Sequence, residues 1–209
     1  MTPPGGARLI ALEGIDGCGK STQAGLLAVA LGAHLTFEPG DTPLGRALRE
    51  VLLHTGLPGA RAETLLMAAD RAQHVDEVVG PMLASGRWVV TDRFSGSTLA
   101  YQGAGRQLDS PALRQLLAWA TGGITADLSV LIDLDVERAR GRLSAAAADR
   151  LERLDVGFHE RVRRGYLAEA AAQPEHWAVV DGDRPIEEVA ASVAAEVRAR
   201  LGWPGAERS

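Results

Sequence analysis

Short apolar runs alternate along the chain with longer stretches in which apolar side chains return every three or four positions. Residues 9–12, 34–37, 88–91, 128–134 and 177–180 read as strands. Between them, residues 21–31, 111–120, 136–143, 158–172 and 186–201 read as helices, with Pro111 suited to a helical first turn. Leu44, Leu48, Val51 and Leu52 share one helical face, and Leu65, Ala69, Ala72, Val75, Val78 and Val79 share another. Five strands separated by helices form a βαβ succession. The predicted fold is therefore α/β, a five-stranded parallel sheet with helices on both faces, in one domain over residues 1–209. In such sheets ligands bind beyond the carboxyl ends of the strands, so the residues that follow each strand carry the candidate chemistry.

Composition narrows the setting. A chain of 209 residues can bury roughly 70% of its unfolded surface and needs neither disulfide nor metal to fold. One cysteine excludes an intrachain disulfide and any multi-cysteine metal site. The longest apolar run, residues 26–33, is far short of the roughly 20 residues of a membrane span. The opening Met-Thr-Pro-Pro-Gly-Gly lacks the basic and apolar regions of a signal peptide, so a cytoplasmic protein without a membrane partner is expected. A net charge of -5 argues against a dedicated nucleic-acid binder. Asparagine is absent, and Lys20 is the single lysine among 22 basic residues. A GC-rich coding sequence accounts for that bias, yet a lysine kept where every other base is arginine calls for a chemical reason.

Gly14-Ile15-Asp16-Gly17-Cys18-Gly19-Lys20-Ser21 supplies one. It fits G-x-x-x-x-G-K-[ST] after a predicted strand and before a predicted helix, the context of a phosphate-binding P-loop. Glycines let the loop curl so that backbone N–H groups face a phosphate chain. The Lys20 ammonium suits the β- and γ-phosphates, and the Ser21 hydroxyl suits Mg²⁺. Thr22 continues the loop, and Cys18 reads as a small residue at a free position. Asp92 and Arg93 follow the third strand. The carboxylate is placed to hold the Mg²⁺ shell, and the guanidinium can fork onto a phosphate; a surface ion pair after a strand is the plainer alternative. A P-loop alone does not separate kinases, GTPase switches and ATPase motors. The guanine-reading Asn-Lys-x-Asp cannot occur here, and motors normally occupy longer chains, which leaves small-molecule kinases.

In this order the chain carries the P-loop with Asp16, Glu38-Pro39-Gly40, Ala69-Asp70-Arg71-Ala72-Gln73-His74, Asp92-Arg93-Phe94, residues 97–103 (Ser-Thr-Leu-Ala-Tyr-Gln-Gly) and Asp149-Arg150-Leu151-Glu152. With these landmarks it resembles the thymidylate kinase family, among the P-loop nucleoside monophosphate kinases, from about Leu9 to Leu201. The resemblance implies ATP and dTMP as substrates, Mg²⁺ as cofactor, and a homodimer. Arg71 would meet the thymine edge and Arg93 the acceptor phosphate. Ser97 and Thr98 would line the base pocket, and Gln102, Phe37 and Pro39 would border it. Tyr101 would fill the space of a ribose 2′-hydroxyl, and Asp16 would approach the sugar 3′ side. By themselves Arg71 would pass for a solvated helix face and Tyr101 for a core aromatic. Residues 138–153 resemble the LID of the bacterial variant, which brings arginine to the transferring phosphoryl group. Arg150 and Arg153 lead among its arginines, with Arg142 nearer the adenine. Glu152 would help organise Mg²⁺ or the acceptor's 3′ side. Three positions depart from the family: Phe37 stands for its usual arginine, Met67 for an aromatic that stacks on thymine, and Ala145 to Ala148 for a shorter, more basic segment.

Overall fold

The computed structural model describes residues 6–54, 59–143, 150–152 and 154–203. Five strands are present among them: β1 (Leu9–Glu13), β2 (His34–Phe37), β3 (Val89–Asp92), β4 (Leu128–Asp133) and β5 (Trp177–Asp181). All neighbours pair in parallel, in the order β2-β3-β1-β4-β5. Ile10 lies level with Val90 on one side and Leu128 on the other, so β1 is central and every residue of it is buried. Alternate side chains serve the two faces. Ile10 and Leu12 join Val130, Tyr166 and Val193 in the larger core, while Leu9 and Ala11 join Val79, Leu83 and Phe94 on the other side. A strand covered on both faces has no polar positions to spare, which is why this one reads as a continuous apolar run.

The helices are α1 (Lys20–Leu31), α2 (Pro43–His54), α3 (Ala60–His74), α4 (Gly80–Ala84), α5 (Ser95–Thr98), α6 (Ser110–Ala120), α7 (Val136–Arg142), α8 (Val156–Ala172) and α9 (Ile186–Leu201). Their positions follow the predicted ones, with two differences. First, the face predicted over residues 65–79 is buried at Val75 and Val79, in a π-turn (Val75–Val79) that continues α3, but α3 itself leaves Leu65 and Ala69 outside. Leu65 is 58% exposed, whereas Glu63, Asp70, Arg71 and His74 point inward. Those charged side chains find partners inside, as set out below, and that pairing outweighs the burial of one leucine. Second, residues 95–105 are helical throughout, α5 passing into a π-turn over Leu99–Gly105. Three glycines and no apolar period hide this segment in the sequence. It is held by contacts to the sheet: a Cβ on Gly96 would lie 2.6 Å from the Trp177 ring.

Candidate active site

The P-loop connects β1 to α1 and needs glycine for distinct reasons. Gly14 has φ 145°, and a Cβ there would lie 2.8 Å from the Ile132 carbonyl. Gly17, at φ 84°, passes so close to the Ala139 carbonyl that a side chain would overlap it. The first turn of α1 has neither an acidic residue nor a side-chain cap, which leaves its amides to an anion. Ile15 and Cys18 are buried, so only their backbones can serve a phosphate. Burial also pushes the Cys18 thiol up, away from reactivity. Thr22 is exposed on α1.

Lys20 is 6% exposed, and its Nζ donates to Asp16 Oδ1 at 3.2 Å. The same carboxylate accepts from Arg93 Nη2 and, at 2.7 Å, from the Tyr101 hydroxyl. Burial alone would raise the Asp16 carboxyl, but the Arg93 and Lys20 charges and the Tyr101 hydrogen bond hold it well below the usual carboxylate range. Arg93 has φ 77°, an unusual conformation for a residue with a side chain. Its guanidinium lies 5.0 Å from the centre of the Tyr101 ring and donates to Gly14 O at 3.2 Å and Ser97 Oγ at 3.0 Å.

Ser21 Oγ donates to Asp92 Oδ2, and Asp92 Oδ1 is buried with no partner. A hydroxyl beside a carboxylate with one unsatisfied oxygen is an all-oxygen donor set. It suits Mg²⁺, which keeps much of its shell as water and substrate phosphate. Glu152 lines the same cavity.

Arg71 is 3% exposed, and three of its five N–H groups are engaged. Nε donates to Glu38 Oε2 at 2.8 Å, Nη1 to Thr98 Oγ1 at 2.7 Å and Nη2 to Phe94 O at 2.9 Å. Glu38 also pairs with His74 Nδ1 at 2.8 Å. Burial would raise the Glu38 carboxyl, yet Arg71 and His74 keep it below its ordinary value. Asp70, buried beside that anion, is pushed up to about 6 while accepting from Gly40 N at 3.0 Å.

These groups surround one cavity of about 510 Å³, within the range of small-molecule sites. Asp16, Gly17, Lys20 and Ser21 line it from the P-loop, and Asp92 and Arg93 from the end of β3. Met67, Arg71, Phe37 and Pro39 border it on another side, and Ser97, Thr98, Tyr101 and Gln102 complete the wall. Not every predicted residue reaches it. Arg142 donates to Gly182 O at 3.2 Å, on the side of β5. Arg150 is bound by the buried Glu63 carboxylate at 2.9 Å and by Leu52 O at 3.1 Å. Arg153 lies outside the described residues.

The structure adds residues that the sequence did not single out. Arg49 of α2 lines the cavity, donates to Pro39 O at 2.7 Å and lies 6.0 Å from the Phe37 ring. It places a cation beside Phe37 on the cavity wall. Glu63 collects Gln102, Arg106 and Arg150. Glu13 was also missed, though a lone acid closing an apolar strand before a P-loop is a readable signal.

A parallel 2-3-1-4-5 sheet with a glycine-rich phosphate loop after its central strand defines a P-loop nucleotide-binding protein. Comparison with known proteins narrows the class. The thymidylate kinase family model matches residues 12–193, and the chain belongs to that family. It is 51% identical to the thymidylate kinase of Leifsonia xyli subsp. xyli over 200 residues, 92% of this chain and 93% of that one. Against the thymidylate kinase of Parasynechococcus marenigrum it is 45% identical, covering 93% of this chain and 99% of the other. The crystal structure of thymidylate kinase from Ehrlichia chaffeensis superposes with a TM-score of 0.79 at 29% identity, over 91% of this chain and 98% of that one.

Proposed function

We propose that the chain transfers the γ-phosphoryl group of ATP to dTMP, giving dTDP and ADP, with Mg²⁺ held at Ser21 and Asp92. The observation that carries this reading is the shared cavity. Lys20 and Arg93, cations suited to a donor and an acceptor phosphate, meet there on one carboxylate, and Arg71 lines the same cavity. An oxygen of the acceptor phosphate attacks the γ-phosphorus, and the bond to the β–γ bridging oxygen breaks, releasing ADP. The protein positions the two phosphates and meets the charge on the transferring group. P-loop amides and Lys20 hold the donor chain, while Arg93 forks onto the acceptor phosphate, with Arg49 beside it. When bound, Mg²⁺ neutralises charge on the donor phosphates.

On the acceptor side, Arg71 has two N–H groups left for the base edge, and Met67 covers the base. Tyr101 occupies the place where a ribose 2′-hydroxyl would fall, with Asp16 on the 3′ side. Ser97, Thr98 and Gln102 complete the wall. A second copy of the chain belongs to the assembly in this reading: α3 and α6 pack together and carry Leu65 and Trp119, 58% and 80% exposed. Among the described residues no helix is long and apolar enough to cross a membrane, and a cytoplasmic enzyme is part of the same reading.

ADP release measured with dTMP, dUMP, UMP, CMP, AMP, GMP and thymidine tests the function. Preferred turnover of dTMP supports it. Preference for another acceptor makes the chain a different nucleotide kinase, and nucleotide binding without any acceptor makes it a regulator.

A further inference from the structure

Glu13 closes β1 one residue before the P-loop and is fully buried. Its carboxylate has four donors. Oε1 accepts from the Phe94 amide at 3.0 Å and the Ser97 amide at 3.2 Å. Oε2 accepts from Ser97 Oγ at 2.6 Å and the Tyr166 hydroxyl at 3.2 Å. The turn from Arg93 to Thr98 therefore rests on this one side chain, closely enough that a Cβ on Gly96 would lie 2.8 Å from Oε1.

That turn holds both arginines assigned to the acceptor. Arg71 donates to Phe94 O and Thr98 Oγ1, and Arg93 donates to Ser97 Oγ. The left-handed backbone at Arg93 must be imposed by its surroundings, and the amides clamped by Glu13 begin at the next residue.

We propose that Glu13 is a positioning residue for the acceptor nucleotide: through the turn it clamps, one buried carboxylate sets Arg71 and Arg93 together, so that base recognition and phosphate recognition are coupled. The proposal rests on the acceptor assignment made above. Burial pushes the Glu13 carboxyl up to about 7 against the pull of Ser97, Arg93, Phe94 and Arg71, so the fold retains the acid in a place where it is costly.

The test compares wild type and Glu13→Gln by calorimetry with dTMP, with thymidine and with ATP. The glutamine amide oxygen can still accept from the two backbone N–H groups, but its NH₂ meets two hydroxyls that were donating. We expect thymidine, which reads Arg71 alone, to bind about threefold more weakly and dTMP, which reads both arginines, about tenfold more weakly, while ATP affinity stays within about twofold. Equal losses for dTMP and thymidine would leave Arg93 untouched and overturn the coupling. An unchanged dTMP affinity overturns the proposal. So does a loss confined to dTMP, because thymidine lacks the phosphate and reads Arg71 without Arg93. An equal loss for ATP overturns it too, as the variant would then act through the adjacent P-loop. If Glu13→Gln does not fold, Tyr166→Phe keeps the buried ring and removes one donor to Oε2. It also removes a contact from Arg93 Nη1 at 3.2 Å, so thymidine, which reads Arg71 alone, is the deciding ligand for that variant. The variant must weaken dTMP and thymidine but not ATP, or the proposal fails. The wild-type panel tests the function separately. If it selects another monophosphate, that nucleotide and its nucleoside replace dTMP and thymidine in every comparison.

Discussion

The guanidinium of Arg150 rests on the buried carboxylate of Glu63, with Nη2 2.9 Å from Oε2. Gln102 and Arg106 share that carboxylate, which burial would raise but its donors hold below its ordinary pKa. Arg93 is paired with a carboxylate too but lines the cavity, whereas Arg150 is not among the residues that line it. We therefore expect Arg150→Ala to lower kcat by less than about tenfold, whereas loss of an arginine finger costs about 10³-fold or more. Single-turnover kinetics decide between them. A drop of the larger size would mean that Arg150 leaves Glu63 for the substrate.

Lys20 presents a different case, since its partner Asp16 stays satisfied without it. Arg93 and Tyr101 both remain on the Asp16 carboxylate. Lys20→Ala should keep a wild-type circular dichroism spectrum and lose most phosphoryl transfer, about 10²-fold or more, because its charge is aimed at the moving phosphate. Near-normal turnover would contradict the assignment.

Two carboxyls give the protein a defined response to pH. Burial pushes Glu13 up to about 7, and burial with the nearby Glu38 charge pushes Asp70 up to about 6. Unfolded, both ionise near pH 4. Between roughly pH 4.5 and 7 the folded chain keeps protons that the unfolded chain has released. The stability from these two groups is thus fully present at the acid end of that window and lost as pH rises through it. For Glu13 the swing is on the order of 3 kcal/mol, at 1.36 kcal/mol per unit. Urea unfolding at pH 5 and pH 7.5 should show the fall, and Glu13→Gln should remove most of it. Equal slopes in the two proteins would rule this out.

Met67 lines the cavity and packs beside Leu52, Leu53 and Leu151. A thioether against a ring is worth about 0.3–1.5 kcal/mol, and an aromatic stack roughly 1–3 kcal/mol. Met67→Phe should tighten dTMP binding by up to about tenfold, unless the larger ring overpacks its leucine neighbours. Met67→Ala should weaken it, and calorimetry on both variants separates the cases. If Met67→Ala binds dTMP as well as wild type does, residue 67 does not touch the base, and Phe37 is the next residue to examine.

Strands and P-loop were legible in the sequence because each is written in contiguous residues, an apolar run or a fixed spacing of glycines. The buried charges were not. Glu13 and Ser97 are 84 residues apart and Arg150 and Glu63 are 87 apart, so nothing near either partner announces the pair. A charged residue in a helix reads as a solvated face until its partner is known, and Glu63, Asp70 and Arg71 were hidden for that reason. Arg71 and Tyr101 gained their roles from the family's order of landmarks, and the structure then brought both to the cavity wall.

The inverted face of α3 changes which substitutions the helix tolerates. Along most helices a drift among aliphatic residues is harmless inside and a charge is harmless outside. In α3 the permissive positions are the outer apolar ones, such as Leu65, up to the limit set by whatever covers them. The restrictive ones are the inner charges, where an aliphatic replacement of Glu63 would leave the guanidinium groups of Arg106 and Arg150 without their counterion. Engineering that ranks positions by hydropathy alone would protect the wrong side of this helix.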